Sequence, residues 1–210
     1  MPSYARRTFR RYPLRDVEML RDMHRAQHQG QGRPYSVLTR SGIFLLCAAW
    51  ELYCEEVVAE SIDHILDSCA NPMDLPERPR RTLALALKAD KHELAGLRMA
   101  GNGWRRYYRE HANSLLGALN TPSANNVADL FAKLVNVDVT PILNPIGQRL
   151  TDFIRKRGDI AHQGAQAGHV SINDLDRDYE LICSTVRDLD NFLIDPIREI
   201  TDYRPWNRQG

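Results

Sequence analysis

SVLTRSGIFLLCAAWELYCEEVVAESIDHILDS, residues Ser36 to Ser68, is the stretch on which the fold turns. Ile43, Leu46, Cys47, Trp50, Tyr53, Cys54, Val57, Val58, Ile62, Ile65 and Leu66 recur at steps of three and four. That is the period of a helix burying a wide apolar stripe, whereas a half-buried strand would alternate at every second residue. The spacing therefore predicts one long helix over 36–68, the central element of a helical bundle.

Working outward, Leu14, Val17, Leu20 and Met23 or His24 predict a helix near 14–28 that ends at Gly30-Gln-Gly32-Arg-Pro34. Beyond the central stretch, Asn71-Pro72 and the Pro76/Pro79 pair interrupt, and Leu83, Leu87, Leu94 and Leu97 predict a helix over Arg80 to Leu97. Gly101-Asn-Gly103 precedes another over Trp104 to Leu119. Ser123 suits the N-cap of a helix reaching Val135, because its hydroxyl can accept an otherwise unpaired backbone N–H. Asp138 to Pro145 reads as a proline-punctuated turn. Leu150, Phe153, Ile154, Ile160 and Ala161 then carry a helix from Ile146 towards Gly164, and a last one starts at Ser171 or Asn173 and runs to Pro196. The fold class expected is all-α, an antiparallel bundle of about five to seven helices. Residues 1–35 are expected to form a basic arm and first helix, 36–200 the helical domain, and 201–210 a flexible polar tail in which Trp206 is unexplained.

Composition narrows the function classes. A chain of 210 residues buries roughly 70% of its unfolded surface unaided by metals or disulfides. Lys plus Arg number 28 against 27 Asp plus Glu, a net charge of +1, so no global field marks a nucleic-acid or membrane binder. Any RNA contact must come from local patches. Cys47, Cys54, Cys69 and Cys183 form no C-x-x-C pair; Cys47 and Cys54 lie in the apolar stretch, where cysteine acts as a small hydrophobe, and zinc is disfavoured. The longest apolar run, Ile43 to Trp50, is far too short to span a bilayer, and a soluble cytoplasmic protein with no membrane association is expected.

Chemistry concentrates in Arg155-Lys-Arg-Gly-Asp-Ile-Ala-His-Gln-Gly164, where three cations, one carboxylate and one imidazole fall within eight residues. Basic residues are favoured at any helix C-terminus by the macrodipole, and that alone accounts for part of the pattern. On a regular helix Arg155, Asp159 and His162 share a face, while Arg157 and His162 are separated by about 140°. Asp159 is then placed to pair with Arg155 and orient His162, with Lys156 as further support. Arg157 would act from the flank or from a second subunit, so one chain presents half a site. These residue types suit RNA phosphodiester cleavage: imidazole titrates near neutrality and serves as base or acid, and guanidinium is a bidentate partner for growing phosphoryl charge. The sequence holds no clustered carboxylate or His/Cys ligand set, so neither a metal nor a cofactor is expected.

Arg157-x4-His162, with Ile160-Ala161 before the His and Gly164 after it, resembles the Arg-Asn-x-Ile-Ala-His-Gly segment of HEPN domains. Ala48-Ala-Trp50-Glu51-Leu-Tyr53-Cys-Glu55 resembles the opening helix of the RiboL-PSP-type branch. Trp104 to Arg109 is similar to its middle Trp/Tyr-rich element, and Asn120-Thr-Pro122-Ser123 through Phe131 to the segment before its motif helix. The likeness covers about Ser36 to Pro196. It implies a helical bundle that forms a homodimer, with two motifs meeting in a composite cleft, Arg157 stabilising the phosphate and His162 acting as acid and base. It further implies a metal-independent ribonuclease of toxin–antitoxin or phage-defence systems, with RNA as substrate and an antitoxin protein or a nucleotidyltransferase as partner. One departure stands out: the residue after the Arg is usually Asn, and here it is Gly158, which removes a polar side chain and loosens the helix. Either Asp159 supplies the missing polarity, or the chain is a non-catalytic HEPN-like module that binds a nucleotide, RNA or a partner protein.

Elsewhere, Arg105-Arg106-Tyr107-Tyr108-Arg109 interleaves cations with rings, and Arg105, Arg106, Tyr108 and Arg109 suit single-stranded RNA; the same run fits a half-buried helix with solvated arginines. Arg6, Arg7, Arg10 and Arg11 suit a basic arm against RNA or an acidic partner. Trp50 belongs to the core. Trp50 and Glu51 could form a site pair, but Glu51 is expected to face solvent or pair with an Arg; an approach of Glu55 to an Arg of the motif helix is the less favoured reading. The spacing of His24 and His28 reads as surface chance.

Overall fold

A computed structural model describes residues 1–27, 35–166 and 168–209, and among these the regular structure is helical, with no strand. Its α-helices are α1 (Tyr4–Arg11), α2 (Pro13–Gln27), α3 (Ser36–Ser68), α4 (Glu77–Ala89), α5 (Gly103–Leu116), α6 (Ala124–Leu134), α7 (Thr140–Leu143), α8 (Gly147–Gln163), α9 (Ile172–Phe192) and α10 (Ile194–Thr201). Seven of these ten have eleven or more residues, in line with the bundle read from periodicity. The Gly30–Pro34 stop signal and His28 lie outside the described residues. No described helix is long and apolar enough to cross a membrane.

The 33 residues of α3 form the axis, packing against α1, α2, α5, α6, α8, α9 and α10. Ile43, Leu46, Trp50, Tyr53, Val57 and Val58 are fully enclosed along it, each large side chain contributing about 1.5–3 kcal/mol of apolar burial. Trp50 also donates Nε1–H to the Pro122 carbonyl at 2.8 Å, which satisfies its polar edge inside the core. Gly42 lies at a close contact of α3 with α9: a Cβ there would stand 2.6 Å from Leu175 Cδ2.

Local chemistry sets the ends of the helices. The Ser123 hydroxyl accepts from Asn126 N at the start of α6, and Ser171 and Asp174 form a reciprocal capping box on α9, each satisfying backbone donors that a helix N-terminus leaves open. At the far end of α3, Arg105 of α5 donates to the Leu66 carbonyl at 3.1 Å and also to the Cys69 carbonyl. A cation on the last carbonyls is favoured by both hydrogen bonding and the helix dipole. α8 stops at Gly164, whose φ of 54° suits glycine.

Four segments differ from expectation: the helix expected over Arg80 to Leu97 stops at Ala89 as α4, the turn expected over Asp138 to Pro145 holds the short helix α7, and both terminal segments are ordered into the fold. The N-terminal basic segment is α1, packed on α3 and α9: Ser3 caps it, Glu60 accepts from Tyr4 N at 2.9 Å and Ala5 N at 3.0 Å, and Arg6 is buried beside Asp190. Of the segment 201–210, read as a flexible tail, the described residues 201–209 are pinned at several points. Trp206 is buried and donates to the Asp190 carbonyl at 2.8 Å, while Asn207 N reaches the Met1 carbonyl at 2.8 Å. An apolar indole in a polar tail buries when the tail meets a wall, and here the two termini wall each other. His24, read as a surface residue, is buried with its ring 6.0 Å from that of Tyr35.

Candidate functional site

The motif helix α8 presents two faces. Leu150, Phe153 and Ile154 define the side turned to the core, and Arg157 falls in the same register, seven residues after Leu150 and four after Phe153. Its stem is therefore carried inwards and lands on the flank of α3. The guanidinium carbon lies 5.1 Å from the centre of the Phe44 ring. Cys47 and Glu51, the next turns along that flank, are its electrostatic neighbours. Burial pushes the Cys47 thiol up to about 11, with Arg157 pulling it down and Glu51 pushing it up. Burial also raises the Glu51 carboxyl, against the pull of Arg157. Among the described residues Arg157 makes no hydrogen bond and no ion pair, so its five N–H donors remain free for a ligand.

His162 is exposed near the C-terminal end of α8, on a different face from Arg157. Asp159 is exposed too, and makes no hydrogen bond or ion pair among the described residues. The expected row of Arg155, Asp159 and His162 does not form as a bonded unit. Arg155 turns back one helical turn to Asp152 at 2.8 Å, and a partner in the preceding turn competes well with one in the following turn on an exposed helix. Lys156 is drawn across to Asp178 of α9 at 2.5 Å, so it fastens α8 to the bundle; burial raises the Asp178 carboxyl and Lys156 opposes that rise.

In α5, burial removes Tyr108 from the RNA-contact reading and Arg105 is taken up by the fold, while Arg106 and Arg109 stay at the surface. Tyr108 is buried with its hydroxyl donating to the Leu134 carbonyl at 2.8 Å. Arg105 caps α3, Arg106 pairs with Glu110 at 2.8 Å, and Arg109 with Asp63 at 2.5 Å. Arg105 is committed to carbonyls within the fold, whereas the pairs of Arg106 and Arg109 are surface pairs of little strength, and a fully enclosed ring offers no face for a base to stack on.

What sequence reasoning missed in the wall opposite Arg157 is Phe44, and which Arg lies beside Glu51. Glu51, rather than Glu55, is the carboxylate that Arg157 senses; Glu55 is raised by burial and by Glu51. Phe44 was passed over because it lies outside the core stripe. The available signal was that α3 carries apolar residues on a second side as well: Val37, Phe44, Leu45 and Leu52 are 55%, 40%, 37% and 39% exposed. Val37, Arg40, Ser41, Phe44, Leu45 and Ile160 line a groove of about 440 Å³ between α3 and α8, next to the motif. Among the described residues Arg40 there donates to the Ser36 hydroxyl at 3.1 Å, and it is a further cation at the motif end.

The family model RiboL-PSP-HEPN matches residues 14–195. No match was found among curated proteins or among solved structures.

Proposed function

Because the chain belongs to the RiboL-PSP-HEPN family, we propose that it is a metal-independent endoribonuclease acting as a homodimer in toxin–antitoxin or phage defence. The observation that carries the reading is the position of Arg157: half-buried, without an ion pair among the described residues, and beside an exposed apolar stripe that a second copy would cover. Exposed apolar patches of this kind on a small domain mark interaction sites. Pairing two copies through Val37, Phe44, Leu45, Leu52 and Ile160 sets two motif helices side by side, so that the wide angle between Arg157 and His162 within one chain is resolved by sharing between chains.

In the composite cleft one His162 takes the proton from a ribose 2′-hydroxyl as the oxygen attacks the adjacent phosphorus. The other His162 gives a proton to the departing 5′-oxygen, leaving a cyclic 2′,3′-phosphate and a 5′-hydroxyl. Arg157 accommodates the charge that grows on the non-bridging oxygens. Arg40, at the same end of α3, is placed to meet a flanking phosphate.

The test is cleavage of RNA in EDTA by the purified protein beside Arg157→Ala and His162→Ala. Each substitution is expected to slow cleavage by about 10²-fold or more, with the wild type indifferent to the chelator. Cleavage that needs added metal, or that survives both changes, overturns the reading in favour of a non-catalytic module.

A further inference from the structure

We infer that Phe44 and Glu51 of α3 form a cradle that positions Arg157 of α8, the guanidinium carbon lying over the ring and the carboxylate supplying the charge that draws it to this wall. Its catalytic consequence rests on the ribonuclease reading above; the cradle itself does not. Phe44, Cys47 and Glu51 follow one another at helical steps along one edge of α3, and Arg157 is delivered to that edge by the core register it shares with Leu150 and Phe153. In the Arg155-Lys156-Arg157 triad the first two cations are tied to Asp152 and Asp178. Arg157 is held differently, by a ring at 5.1 Å and by a carboxylate that makes no ion pair with it. A guanidinium held over a ring commits none of its N–H donors to an acceptor, and a carboxylate near but not bonded to it biases its position without competing for those donors.

The second side of the argument is Gly158. It has no side chain to orient its neighbour, and a Cβ there would meet nothing within 4 Å. Local polarity on α8 is therefore supplied neither by residue 158 nor by the unpaired Asp159. The charge that faces Arg157 comes from α3 instead, across the helix–helix contact. Glu51 is a positioning residue: it acts through Arg157 and not on the RNA.

Two measurements test this on the full-length protein. In single-turnover cleavage, Glu51→Gln is expected to lower the rate by about tenfold, Glu51→Asp to recover part of the loss, and Glu51→Gln added to Arg157→Ala to cost nothing more. A merely structural Glu51 would instead give additive losses and a lowered melting temperature. Independently of activity, the Nε–Hε signal of Arg157 in a nitrogen–proton NMR spectrum, assigned by its disappearance in Arg157→Lys, should stand apart from those of solvated arginines. It should move towards them in Glu51→Gln and in Phe44→Leu. If the wild type fails to cut RNA while this signal moves, the ribonuclease reading falls and the cradle stands. A signal unmoved in both variants, or an additive loss in the double variant, overturns the cradle.

Discussion

The corner around Asp190 and the C-terminal half of α8 are built on opposite plans. At the corner, a carboxylate with no exposed surface accepts from the Ser3 hydroxyl, stands 3.8 Å from the buried Arg6, and lies under Trp206, which donates to its backbone. At the motif end, Arg157, Asp159 and His162 make no ion pair with other described residues, and apolar side chains beside them stay in water. Removing one partner of a buried ion pair leaves the other charge uncompensated, so the corner depends on Asp190, the more so because the buried Arg6 Nη1 has no hydrogen-bond partner there. Charge left free at a surface contributes little to stability and remains available to a ligand. The contrast is the ground on which the proposed site is put at the motif end.

The largest expected effect breaks the corner. Asp190→Ala leaves Arg6, with a side chain only 7% exposed, without its counter-charge and should cost about 3–5 kcal/mol in urea unfolding; a loss under about 1 kcal/mol would put this pair in the class of surface ion pairs. Next comes Gly42→Ala, whose Cβ meets Leu175 Cδ2 at 2.6 Å and should cost about 1–3 kcal/mol by overpacking. Removing the α9 cap with Asp174→Asn should cost about 1 kcal/mol near neutrality. The Ser171 hydroxyl and N–H, with Arg177, hold the Asp174 carboxyl below its ordinary range. Its contribution is then complete above the unfolded value of about 4 and lost as pH falls through the lower folded value. The gap between wild type and variant should accordingly close in acid, and a gap independent of pH would rule out the charge as its source.

The smallest stability effects fall at the motif end, where the same chemistry gives the opposite sign. Gly158→Ala puts a methyl into open space on a helix and should stabilise by up to about 1 kcal/mol; destabilisation would show that the glycine is needed in the turn. Leu45→Glu, at a position 37% exposed, should change monomer stability by no more than about 0.5 kcal/mol yet abolish self-association in sedimentation. Should the dimer persist, the α3 stripe is not its interface.

Much of this architecture is legible in the chain. Helical periodicity placed α3 over its full length, and Ser123 and Ser171 announced their helices because capping is a contact between residues three apart. Arg157 and His162 were found as a motif. Less legible was which charges would be consumed. Arg105 and Arg109 look free in sequence, and α3 takes them both, at Cys69 and Asp63. Lys156 was grouped with the site, and Asp178, twenty-two residues away, removes it. Such pairings join residues distant in the chain, and no local pattern encodes them.

Sequence by itself determined the helical class, the extent of the long central helix, the positions of the caps and the identity of the motif, because each depends on side chains within about one turn of one another. Tertiary structure alone decided that the termini meet around Asp190, that the Arg- and Tyr-rich helix is a structural element, and that Arg157 rests on Phe44 beside Glu51. Those outcomes depend on which helix faces meet, and the meeting is set by burial of the whole apolar surface rather than by any short segment.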